Sequence, residues 1–210
     1  MVADVGREEL ICMLRSAIAE IRGHHEHLSR LDSFGGDGDH GTTMLRAVAG
    51  IEKTIESDAG KPPGPLLGDI GWAVMGIDGG ATGPLLGSLF MGMGEAAGDR
   101  PRLDPGALAA AFEAGLAAVA KRTKAKPGDK TLMDALVPAV GALRDACGKG
   151  AGIREMLLDA AGAAERGAAS TRDMAARFGR AKNLGAASIG QPDPGATSVS
   201  LIIRGFHEGT

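Results

Sequence analysis

The chain has 210 residues, of which 36 are Ala and 34 are Gly, one third between them. Five Phe, one Trp and no Tyr give an aromatic share of 3%, which excludes base-stacking modules for single strands or RNA. A net charge of −3 gives no electrostatic case for a nucleic-acid partner. No apolar run approaches the ~18–20 residues that span a bilayer, and the acidic start with Asp4, Glu8 and Glu9 is unlike a secretory signal. Cys12 and Cys147 lack metal-type spacing and read as free thiols of a reduced, cytoplasmic protein. So Ala-rich a chain predicts closely packed helices.

Residues 8–31 read as a long amphipathic helix, with Leu10, Leu14, Ala17, Ile21, His24, Leu28 and Leu31 at steps of three and four. Met44, Val48, Ile51 and Ile55 repeat the pattern in a second helix, ended by the Gly/Pro loop 57–65. Two further helices are expected over 66–77 and 82–97, divided by Asp78-Gly79-Gly80. Asp104-Pro105 is a start signal for a fifth, with Asp as N-cap and Pro at the first helical position. A sixth is expected over 131–147, kinked by Pro138, and a seventh over 151–165. Thr171 to Arg180 is expected to be helical and Lys182 to Gly195 to be loop. Ser198 to Phe206 reads as a last helix, because an isolated strand would have nothing to pair with. The expectation is an all-α, single-domain chain over 1–210, an antiparallel bundle or barrel of about eight helices with short connections.

The stretch Asp32-Ser33-Phe34-Gly35-Gly36-Asp37-Gly38-Asp39-His40-Gly41 carries most of the chemistry. Three carboxylates within eight residues repel one another unless a cation neutralises them, and the glycines let the backbone turn so that they converge. Oxygen-only ligands select a hard ion, Mg²⁺ or Ca²⁺. The helix start at Gly41, Thr42 and Thr43 offers unpaired N–H groups to an anion. The alternative is a solvated turn with Asp as N-cap. A calcium loop counted from Asp37 fails, because its twelfth position is Val48 rather than Glu. No Walker phosphate loop occurs, and no nucleophile elbow supports a Ser/His/Asp hydrolase.

Three more loop-to-helix junctions follow. Gly79-Gly80-Ala81-Thr82-Gly83 suits phosphate contact, or else eases a helix crossing through Gly79, Gly83 and Gly87. Pro127-Gly128-Asp129-Lys130-Thr131 precedes Leu132 and reads equally as a helix start capped by Asp129 or Thr131. Gly179-Arg180-Ala181 and Asp193-Pro194-Gly195-Ala196-Thr197-Ser198 complete the set. His24, His25 and His27 point in different directions along one helix and read as solvated, whereas His40 suits ligand contact or loop bracing.

These stretches, in this order, resemble the L subunit of dihydroxyacetone kinases, the DhaL type. The resemblance implies a barrel of eight antiparallel helices with the nucleotide, ADP or ATP, at one end. It implies Asp32, Asp37 and Asp39 as holders of two Mg²⁺ ions. It places His40, Gly41, Thr42, Thr43, Ala81, Thr82, Leu132, Arg180, Asp193, Pro194 and Gly195 against the nucleotide. Thr43 stands where Asn is frequent, Thr82 where Ser is, Leu132 where Met is, and Gln191 where His is usual. With so few aromatic residues, an aliphatic side chain such as Leu132 is expected to hold the adenine. The resemblance further implies a phosphotransferase subunit that is inactive without a K-type, ketose-binding partner. The phosphodonor is either ATP or bound ADP recharged by a phosphoenolpyruvate-linked M-type subunit. Other readings are a regulatory module acting on a transcriptional regulator, a tetrose (erythrulose-type) kinase subunit, and a fatty-acid-kinase component, against which the absence of an acyl-binding domain argues.

Overall fold

The computed structural model describes residues 3–210. Eight α-helices follow one another: α1 (Arg7–Ser33), α2 (His40–Ser57), α3 (Pro63–Met75), α4 (Thr82–Ala97), α5 (Pro105–Ala120), α6 (Met133–Gly148), α7 (Ile153–Ser170) and α8 (Pro194–Glu208). Each packs on the next, and α8 packs back on α1, which closes an antiparallel barrel. The all-α expectation holds, including a helix rather than a strand at the C-terminal end. One addition is a pair of two-residue strands, β1 (Val5–Gly6) and β2 (Arg102–Leu103), antiparallel with Val5 opposite Leu103. They tie the start of α1 to the α4–α5 connection.

The core is aliphatic, with Leu14, Ile21, Leu28, Met44, Leu66, Leu67, Ile70 and Met93 almost fully buried. Three of the five Phe also lie there, and Phe112 and Phe206 meet edge to face at 6.1 Å. Small residues set how closely the walls approach. On α3 and α4, a Cβ at Gly94 would lie 2.7 Å from the Gly64 carbonyl oxygen, and one at Gly64 would strike Gly98 and Gly94 in turn. On α7, Ala160, Ala161, Ala163, Ala164 and Ala168 are buried, so Ala fills the wall where bulkier side chains would push helices apart.

Local signals set the helix starts. Asp104 caps α5 by accepting from Ala107 N at 2.7 Å, with Pro105 at the first position. Asp193 caps α8 in the same way through Ala196 N at 2.7 Å. Pro138 lies inside α6, which continues through it. Proline has no N–H for the Asp134 carbonyl, and that carbonyl faces Gly167 of α7, where a Cβ would overlap it.

The segment between α7 and α8 departs from expectation. Thr171–Arg180 is not a helix: one 3₁₀ turn covers Thr171–Asp173 and the chain then extends. The expected loop at 182–195 holds 3₁₀ turns over Arg180–Ser188, broken at Gly185 with φ 53°. Long-range hydrogen bonds decide this region, as described below. Cys12 and Cys147 are both free thiols. No helix among the described residues is long and apolar enough to cross a membrane.

Candidate functional site

Up-and-down topology brings the N-termini of all even-numbered helices to one end of the barrel. A cleft of about 320 Å³ opens there, lined by His40 of α2, Ala81 and Thr82 at α4, Leu132 and Met133 at α6, and Pro194 and Gly195 of α8. Four helix N-termini with their positive dipole ends thus face one space, which favours an anion. The start of α4 is open to a ligand, since Ala81 makes no side-chain cap. Gly79 and Gly80 turn the chain into it with φ 140° and 65°. The helix-crossing reading holds at Gly83 and Gly87, whose Cβ positions would lie 2.8 Å from the Ile77 and Gly71 carbonyl oxygens, while Gly79 and Gly80 line the cleft.

Beside the cleft, α1 ends and α2 begins, and there Asp32, Asp37 and Asp39 each place a carboxylate oxygen within 4.8 Å of the others. Asp39 occupies the N-cap position of α2 but makes no side-chain cap bond, so its carboxylate is not spent on the helix. Asp32 accepts weakly from His40 N at 3.3 Å. Desolvation raises the Asp39 carboxyl, and hydrogen bonding and repulsion from Asp37 raise it further. At Asp37 desolvation acts upward too, but the Arg180 guanidinium, which pairs with it directly, brings the net shift below the usual range. Three carboxylates crowded at the negative end of α1 fit a hard divalent cation, with oxygen donors only and no His or Cys among them.

His40 is buried, and its ring braces three helices: Nε2 lies 3.1 Å from Ser198 Oγ of α8 and Nδ1 lies 3.4 Å from Thr82 Oγ1 of α4. Burial pushes the imidazole down, against a smaller opposing effect of Asp32, so the ring is neutral at pH 7 and holds the helix starts in register. Of the other α2 residues, Thr42 is exposed. Gly41 and Thr43 are buried and do not line the cleft. Gly41 packs on α1, and Thr43 Oγ1 accepts from Arg46 at 3.1 Å. Arg180, Asp193, Pro194 and Gly195 all line the cleft with Leu132.

Two residues unmarked by sequence reasoning also line it. Phe34 and Phe178 stand at the cleft, so two of the five Phe lie where only aliphatic contacts were expected. Phe34 is 47% exposed, and Phe178 is half-buried beside the core. The position of Phe178 directly before Gly179-Arg180 was the available signal. Lys130, Thr123 and Ala125 complete the wall.

Asp193 is raised from the ordinary 3.8 to about 7 by desolvation, with Asp134 adding to the rise and Lys130 and the Ala196 N–H opposing it. The folded protein therefore holds a proton here that the unfolded chain releases near pH 4. This group favours folding most at acid pH, and that contribution is lost as pH rises toward 7, at a slope of at most about 1.4 kcal/mol per pH unit. Asp193→Asn keeps a cap acceptor and removes the proton. Its stability should gain on wild type as pH rises from 4.5 to 7.5, read from urea midpoints; parallel curves would refute the shift.

The fold, with three converging carboxylates beside four helix N-termini, defines a helical barrel with features suited to a cation and an anion at one end. Comparison with known proteins agrees. The DAK2 domain family profile matches residues 35–208. The ADP-binding subunit DhaL of the PEP-dependent dihydroxyacetone kinase of Escherichia coli K12 is 39% identical over 179 residues, 85% of each chain. D-erythrulose kinase of Mycolicibacterium smegmatis is 33% identical over 198 residues, 93% of this chain but 34% of that protein. The crystal structure of the dihydroxyacetone kinase of C. freundii in its native form superposes with TM-score 0.74 at 25% identity, over 96% of this chain and 34% of the other. Its complex with AMP-PNP and Mg²⁺ gives TM-score 0.67 at 26% identity, over 94% of this chain and 33% of the other. The chain thus spans about a third of the length of the erythrulose kinase and of the C. freundii kinase. It belongs to the DAK2 domain family and groups with the DhaL-type subunits.

Proposed function

We propose that residues 1–210 form one nucleotide-binding unit, the phosphotransferase subunit of a dihydroxyacetone or related short-chain ketose kinase. The single observation that carries this reading is the convergence of Asp32, Asp37 and Asp39 within 4.8 Å at the end of the barrel where four helix N-termini meet. An ADP-binding subunit is 39% identical to this chain, and a kinase crystallised with AMP-PNP and Mg²⁺ has a similar fold.

Asp32, Asp37 and Asp39 would hold magnesium, two ions in this reading, and the metal supplies charge neutralisation for a phosphoryl group in transfer. The N-termini of α4 and α8 orient the phosphate chain, with the Thr82 hydroxyl as a further contact. Arg180 brings a second positive charge to the same end. Leu132, Met133 and Phe178 form the apolar end suited to a base and exclude water from it. Asp193, Pro194 and Gly195 close the floor. No carboxylate is asked to take a proton from the ketose; the aspartates act through charge.

The ketose is held by a K-type partner, so the chain alone is inactive. The similarity to an ADP-binding subunit of a PEP-dependent kinase favours ADP that stays bound and is recharged by an M-type subunit, over exchanging ATP. A transcriptional regulator that reads the nucleotide state is a further partner to test. Such chemistry, with two free thiols, belongs in the cytoplasm. The similarity to an erythrulose kinase favours a four-carbon ketose as the second substrate to try.

The test is calorimetry of the purified chain with ADP and ATP, with and without Mg²⁺, then phosphorylation of dihydroxyacetone and erythrulose with a K-type subunit added. Mg²⁺-dependent binding and partner-dependent turnover are expected. ADP retained through dialysis would assign the recharged-coenzyme route. Nucleotide binding without turnover on any ketose would shift the reading to a regulatory module.

A further inference from the structure

The Pro127–Thr131 junction does more than start α6. Lys130 is the one non-glycine among the described residues with positive φ, 59°, a conformation that costs a side-chain-bearing residue and persists where its surroundings enforce it. Its side chain is buried, 5% exposed, and makes no ion pair among the described residues. Instead Nζ donates to four backbone carbonyls: Ser188 and Gln191 at 2.7 Å each, Thr171 at 2.9 Å and Met174 at 3.2 Å. An ammonium has three protons, so the longest contact shares one. Four carbonyls have replaced the hydration shell of a cation, which is how a buried charge without a counter-ion is tolerated. Burial still holds the amine below its usual range, with Asp193 and Asp173 opposing.

The four carbonyls lie on two strands of one excursion. Thr171 and Met174 are where the chain leaves α7, and Ser188 and Gln191 are where it returns toward α8. Between them lie Phe178 and Arg180. Other bonds close the same neck: Gly190 N to Arg172 O at 2.8 Å, Asp193 N to Thr171 Oγ1 at 2.8 Å and Ala176 N to Ser188 Oγ at 2.8 Å. Lys130 itself stands two residues before Leu132, on the cleft wall. One ammonium therefore fastens both ends of the loop to the surface the loop covers.

We propose that Lys130 is a positioning residue for nucleotide binding, whose ammonium pins both ends of segment Thr171–Gln191 to the cleft and so holds Phe178 and Arg180 over it. This rests on the nucleotide reading of the cleft given above. A lysine that only stabilised the barrel would lower the melting temperature when lost, yet leave the contribution of Arg180 to binding unchanged.

The experiment compares full-length wild type, Lys130→Met, Arg180→Ala and the double variant. Hydrogen exchange is read without nucleotide, and Mg-ADP affinity is read by calorimetry. In Lys130→Met, amides 172–192 should exchange about tenfold faster or more while those of α1–α4 keep their protection. Mg-ADP should bind about tenfold more weakly, and Arg180→Ala should cost far less in the Lys130→Met background than in wild type, the mark of coupled residues. Unchanged loop exchange, or an equal Arg180→Ala penalty in both backgrounds, would overturn the proposal. If Lys130→Met does not fold, wild type provides the measurement. Acetylation of the Lys130 amine should then keep pace with exchange of amides 172–192 and slow with them on adding Mg-ADP; acetylation that follows global unfolding instead would overturn the proposal. Should wild type bind no Mg-ADP, the nucleotide reading fails, while the exchange data alone still decide whether Lys130 pins the loop.

Discussion

Asp37→Ala should abolish Mg²⁺-dependent nucleotide binding and leave the barrel folded. The side chain lies in the exposed turn between α1 and α2, where it bonds no backbone group beyond its own residue; it pairs with Arg180 and shares a hydrogen bond with Asp39. Its carboxylate is one of three converging within 4.8 Å, and removing a charged ligand from such a set weakens a hard cation on the order of 100-fold or more. Asp39 would respond as well. Repulsion from Asp37 helps to raise its carboxyl, so the substitution lets Asp39 ionise at lower pH without restoring the third oxygen. Calorimetry with Mg-ADP and far-ultraviolet circular dichroism would check both halves. Unchanged affinity would remove the aspartate cluster from the site, and lost helicity would make the turn structural. Added Mg²⁺ at high concentration should recover part of the affinity, because Asp32 and Asp39 remain.

The sequence carried the barrel clearly because its helices are punctuated by local chemistry. Asp104-Pro105 and Asp193-Pro194 announce α5 and α8, and both aspartates make the cap bonds that the signal implies. The convergence of the three aspartates was equally legible, because glycines between them let the chain fold back within a few residues. What escaped depends on partners far along the chain. Thr171–Arg180 has helical composition, yet Lys130, 41 residues before Thr171, and the Ser188 hydroxyl draw its backbone into another path. The strand pair joins Gly6 to Arg102, and two residues show no periodicity. Phe34 and Phe178 were discounted on bulk composition, although a site needs only one or two rings. A count over 210 residues says little about where the few aromatic side chains stand.

Gly41 separates two accounts of the same motif. As an anion contact it would act through its N–H, which Ala retains, so Gly41→Ala would be harmless. The structure gives it a different task. A Cβ there would overlap the His25 carbonyl oxygen, meet the Ser29 hydroxyl at 2.6 Å and the His25 carbonyl carbon at 2.8 Å. A backbone carbonyl inside α1 cannot rotate away, so α2 must shift from α1. Forced overlap of this kind costs roughly 3 kcal/mol. The shift also acts on chemistry, because Asp32 ends α1 while Asp39 and His40 begin α2. Separating the two helices spreads the carboxylates and draws His40 from Ser198. Gly41→Ala should therefore lose about 3 kcal/mol of stability in urea titration, and the surviving folded protein should bind Mg-ADP more weakly although no metal ligand or N–H donor has been removed. Wild-type stability with wild-type affinity would mean that α1 and α2 meet less closely than the structure shows. Wild-type stability with lost affinity would mean that the added methyl group meets the bound ligand rather than α1.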